Sequence, residues 1–180
     1  MIIRYLIMIF VKLKSKNITK LTTKELLLNR AEHEWIRQDK ILYRFFKESM
    51  ELLTPEDFTK LNKQKELCFL YSTGKYASTL AAHNNKQFII LYPEFIGMVR
   101  SVDNTIAFAI LFHELGHIYF GHNQSMLSVL DKQFEADLFA CKYGFENELL
   151  EILYGENKTN EVIQRISRIQ EYQKSHRSHQ

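Results

Sequence analysis

Three residues in one short stretch carry most of the chemistry this sequence can offer. His113, Glu114 and His117 stand together in "HELGH". On a helix the two histidines, four positions apart, project from one face with the glutamate beside them. Such a face presents two imidazole nitrogens to a metal ion while the glutamate handles the proton of a water molecule. The expected chemistry is hydrolysis at a Zn2+ centre, with His113 and His117 as ligands and Glu114 as general base. The motif follows an apolar run from Ile106 to Phe112. In so apolar a helix, two imidazoles without partners would cost free energy.

A catalytic zinc takes three protein ligands and keeps one position open, so a third ligand is expected from another element. The place for it is "VLDKQFEADLFACKYG", which reads as a helix stopping at Gly144. "FHELGHIYFGH" followed by "QFEADLFACKYG" resembles the zinc metallopeptidases of the CAAX prenyl protease and HtpX type, in which HExxH precedes a helix carrying an ExxxD pattern. The likeness covers about residues 86 to 170. It is also similar to the ImmA/IrrE type of metallopeptidase, where HELGH precedes an E-A-N/D-x-F-A helix. The resemblance implies a zincin-like fold, Zn2+, a peptide or protein substrate, and a role for Asp137 behind a ligand histidine, fixing its tautomer.

At the third ligand the chain departs from the pattern. Four positions before Asp137, where the family carries its ligand glutamate, stands Gln133, and Glu135 is only two before. Gln133, Ala136, Asp137 and Ala140 share a helical face, with Glu135 roughly 160° away from Asp137. Zinc's preference for a carboxylate favours Glu135 and the helical register favours Gln133, with Asp137 a further choice. An ImmA/IrrE-like regulatory protein, or an inactive relative that binds protein, is the alternative to a working peptidase. His122 lies roughly 140° around the helix from His117, so it joins the same metal only through a break, and it reads as a helix-end or cleft residue. His33, His83, His176 and His179 read as exposed or internally satisfied.

The elements that must position these residues give an α+β class, mainly helical with a small hairpin or sheet beside the active helix. A helix is expected from Thr22, in a capping box with Glu25, to about Leu53, and a second from Thr54 and Pro55 to about Leu67. Two strands should flank Asn84-Asn85, with "KQFIILY" offering an edge to an extended peptide. "PEFIGMVRS" reads as a short helix, and the active helix should be capped near Asp103 or Asn104. A last helix, about 159 to 174, carries Val162, Ile163, Ile166 and Ile169 as a packing stripe. Arg165 on it reads as surface, near the cleft. The aromatics Tyr43, Phe45, Phe46, Trp35 and Phe58 read as core.

The 180 residues are 46% hydrophobic, enough for one domain with a sizeable core: an N-terminal strand or buried segment (1–21), a helical part (22–67) and a catalytic core (68–180). A net charge of +3 from 24 basic and 21 acidic residues gives no footprint for nucleic acid. Cys68 and Cys141 have no paired spacing and fit buried thiols in a cytoplasmic protein. The apolar run Tyr5–Val11 is far short of the roughly 20 residues a membrane helix needs, and no secretory cleavage pattern follows it.

Overall fold

The computed structural model describes residues 23–63, 65–74, 76–83 and 85–177. The N-terminal strand or buried segment, the Thr22 cap, Asn84 and His179 lie outside them. Where one helix was expected up to Leu53, the chain forms α1 (Thr23–Leu28), a 3-10 turn (Ala31–His33), α2 (Glu34–Arg37) and α3 (Lys40–Leu52). The interruption is stabilised by side chains. Asp39 accepts hydrogen bonds from the Ile41 and Leu42 amides and starts α3 afresh. Arg37 donates to the Leu28 and Arg30 carbonyls that the break leaves over.

Thr54 caps α4 (Pro55–Asn62), accepting from the Asp57 amide. The helix does not reach Leu67. Glu66–Tyr71 is instead a strand, β1, whose Leu67, Cys68 and Phe69 are all buried. A short apolar run buried on both faces is the pattern of an interior strand rather than of a helix end.

β2 (Ala77–His83) and β3 (Lys86–Leu91) flank Asn85, which takes the left-handed conformation at φ 61°. The sheet order is β1-β3-β2, with β1 parallel and β2 antiparallel to β3. "KQFIIL" therefore occupies the centre, with both its edges paired, and cannot align a peptide as expected; the edge that lies against the active helix belongs to β2.

α5 (Pro93–Val99) leads to α6 (Thr105–Tyr119), where Asp103 accepts from both the amide and the hydroxyl of Thr105. α6 is buried almost all round. After a 3-10 turn (His122–Gln124), α7 (Val129–Lys142) starts at a Ser128 cap and stops before Gly144, which has φ 86°. α8 (Glu146–Gly155) and α9 (Asn160–Arg177) complete the order. On α9, Val162 and Ile169 are buried, but Ile163 is 51% exposed. Val162, Ile166 and Ile169 follow the i, i+4, i+7 spacing of one face, and Ile163 falls outside it.

One buried cluster joins residues from Leu27 on α1 to Ile169 on α9, with Phe45, Phe46 and Phe58 inside it and Trp35 and Tyr43 packed against it. Cys68 and Cys141 are free and buried, and burial pushes the Cys141 thiol up to about 12. His33 is satisfied internally: Nδ1–H donates to the Leu27 carbonyl at 2.8 Å, and Nε2 accepts from the Phe69 amide at 3.0 Å. None of the described helices is long and apolar enough to cross a membrane.

Candidate metal centre

α6 and α7 lie in close contact because both carry small residues where they cross. A methyl group built on Gly116 would stand 2.8 Å from the Ala136 Cα and 3.0 Å from its carbonyl oxygen. Ala136 and Ala140 are wholly buried in this seam. The glycine inside "HELGH" thus sets the distance at which α7 can present its polar residues to the histidines of α6.

Asp137 is the residue that arrives there. Its Oδ1 lies 2.8 Å from Nδ1 of His113. Arg165 of α9 grips the same carboxylate with two bonds, Nε to Oδ2 at 2.7 Å and an Nη to Oδ1 at 2.8 Å. Burial works against ionisation of Asp137, but the bonds from Arg165 and His113 outweigh it and hold its pKa below the usual carboxylate value. Arg165 is likewise raised by this partner despite its burial. It is a half-buried anchor of the site, not the surface residue expected.

His117 faces two other imidazoles. Its Nε2 lies 3.1 Å from Nε2 of His113, and its Nδ1 lies 2.7 Å from Nδ1 of His122. The break that His122 required is present: α6 ends at Tyr119, and Gly121 turns back in the left-handed conformation at φ 67°. His122 Nε2 then meets Oε2 of Glu135 at 2.7 Å. Glu135 thus reaches the cluster from behind His122, while Gln133 lies half-buried on α7 one turn before Asp137. The arms around His113 and His117 depend on Arg165 and on the Gly121 turn, and neither is visible as a spacing rule.

Proton counting constrains the centre. Asp137 is ionised and only accepts, so His113 Nδ1 must carry a proton. Burial, with the neighbouring His113 and His122 adding to it, lowers the pKa of His117 to about 3, so this ring is neutral and has one N–H. With Glu135 as a carboxylate, His122 Nε2 donates to it. When His122 is neutral, its Nδ1 accepts from His117 Nδ1–H. That leaves His117 Nε2 as a lone pair aimed at His113 Nε2, which is itself a lone pair whenever His113 is neutral. Two lone pairs at hydrogen-bond distance need a cation: a proton, or a metal ion bound by both nitrogens. A spacing of 3.1 Å is short enough for both to share one ion at the roughly 2.0–2.1 Å of zinc–imidazole bonds.

Glu114, beside His113 on α6, meets Thr79 of β2. It is 8% exposed, burial raises its carboxyl pKa, and hydrogen bonds from the backbone and hydroxyl of Thr79 on β2 act against that rise. His113, Glu114 and Arg165 line a cleft of about 450 Å³ together with apolar Ile110, Leu149, Ile152, Leu153 and Val162 and polar Glu156, Asn157, Thr159 and Glu161. Among the described residues, no three His, Cys, Asp or Glu side chains gather into a complete metal-ligand set. The donors in place therefore fit two positions of a metal site, not three. Comparisons of the chain with protein-family models, with curated proteins and with solved structures found no match.

Proposed function

We propose that this chain is a zinc-dependent metallopeptidase of zincin-like build, hydrolysing peptide bonds at the cleft beside α6. The observation that carries this reading is the 3.1 Å approach of the His113 and His117 Nε2 atoms, with Nδ1 of His113 bonded to an Asp137 carboxylate that Arg165 holds. Metal-ligating imidazoles are held in this way, the outer nitrogen donating to a carboxylate. His113 and His117 would hold the ion, with the third donor on α7, where Glu135 and Gln133 remain the candidates. Zinc, when bound, supplies Lewis acidity to a water molecule and to the scissile carbonyl.

The chain's own residues supply the rest. Glu114, poised by burial and oriented by Thr79, takes the water proton at its carboxylate and delivers it to the departing amine. Among the described residues the outer edge of β2 has no partner strand; β2 meets Glu114 through Thr79 and can align an extended peptide by main-chain hydrogen bonds. The apolar residues of the cleft accept a side chain of that peptide.

Metal analysis of purified protein after repletion tests the reading, alongside cleavage of a quenched fluorescent peptide set. One equivalent of zinc that His113→Ala abolishes, with cleavage blocked by a chelator, is the expected result. Substoichiometric zinc in the wild type would reject the peptidase and leave a protein-binding cleft.

A further inference from the structure

We propose that His122 and Glu135 form a positioning relay that keeps the proton of His117 on Nδ1 and so holds its Nε2 as the metal-facing lone pair. The inference deepens the metallopeptidase reading and rests on it for its purpose, though not for its geometry.

The relay is continuous: His117 Nδ1 to His122 Nδ1 at 2.7 Å, and His122 Nε2 to Glu135 Oε2 at 2.7 Å. A neutral imidazole accepts at one end and donates at the other along such a line. Were the His122 proton on Nδ1, a lone pair would confront the Glu135 carboxylate, so the acid sets the direction of the whole row. The His122 ring is also fixed sterically. Its side chain is 3% exposed, and the Phe120 ring stacks on it with centroids 5.7 Å apart and an interplanar angle of 14°. Gly121, at φ 67°, provides the turn that brings the ring back beneath His117. The opposite arm has the same logic by other means: Arg165 orients Asp137, and Asp137 orients His113. Each histidine of "HELGH" thus has its outer nitrogen occupied by a two-residue support. Glu135 does its work through His122 and not as a ligand, which directs the third-donor search to Gln133.

The test uses the full-length protein, metal-free and zinc-loaded, with ring-15N histidine NMR and zinc affinity by chelator competition. A downfield proton bonded to His117 Nδ1 and showing 15N–15N coupling to His122 Nδ1 is expected in the wild type. His122→Phe fills the same space without the bonds; it should lose that proton and weaken zinc binding by roughly 10- to 100-fold. His122→Gln can accept from His117 and donate to Glu135, and should restore most of the affinity. Glu135→Gln should cost less than His122→Phe. Unchanged zinc affinity in His122→Phe, failure of His122→Gln to improve on it, or a greater loss in Glu135→Gln would each overturn the relay. If the wild type binds no zinc, the metallopeptidase reading fails alone, because the coupling in metal-free protein still decides whether the relay exists.

Discussion

Glu114 and His113 are neighbours in sequence but do different work, since one faces Thr79 and the cleft while the other faces Asp137. Replacing Glu114 by Gln keeps the shape and removes the base. Peptide cleavage should fall by roughly 10²- to 10⁴-fold while bound zinc stays at the wild-type level, measured by kcat/KM and metal content on the same preparation. Unchanged cleavage would reject Glu114 as the proton carrier. His113, Glu114 and His117, named from their spacing, and Asp137, named from the resemblance, are brought together in space. His122 and Arg165 were legible only as residues near the site. Their roles depend on a left-handed Gly121 and on a helix packed from nearly thirty positions downstream, which local periodicity does not encode.

At the scale of elements, the α6–α7 seam and the α1–β1 junction make opposite demands on their side chains. The seam needs the absence of one. Gly116→Ala would push a methyl into the Ala136 backbone, which cannot rotate away, so α7 must shift. A loss of roughly 1–3 kcal/mol is expected, read as a lower Tm, together with weaker zinc binding because Asp137 moves with α7. The junction needs a neutral imidazole, because His33 Nε2 must accept from the Phe69 amide. Burial lowers the pKa of His33 below its ordinary 6.5, so the folded state binds fewer protons than the unfolded one. Its contribution is whole above about pH 6.5 and drains away as the pH falls below it, by at most about 1.4 kcal/mol per pH unit for one group. Denaturant titrations across that range should show the decline, and His33→Gln should make it shallower; an unchanged slope would remove His33 as a cause. Helix boundaries were the least legible feature. "ELCFLY" follows the helix after a short polar stretch that holds no Gly or Pro to mark a stop, and its pairing with β3 makes it a strand.

Across the whole molecule, the site is where the late helices are joined to the core. Arg165 on α9 binds Asp137 on α7, which binds His113 on α6, so the order of the last helix and the orientation of a candidate ligand are one equilibrium. Arg165→Met keeps much of the side chain's bulk and leaves a buried carboxylate with a single partner. Breaking such a pair from one side costs roughly 3–5 kcal/mol. Adding Asp137→Asn removes the stranded charge, so the double variant should recover part of that stability; the two changes are in contact and should not add. Zinc provides the second readout. A ligand that binds only the folded state adds about 2.7 kcal/mol at a hundred times its Kd, so wild-type Tm should rise on repletion and fall with chelator. In Arg165→Met the rise should be smaller at the same zinc concentration, because His113 is less firmly held. An equal zinc-induced shift in both proteins would mean that Arg165 serves stability alone and that α9 is not coupled to the centre.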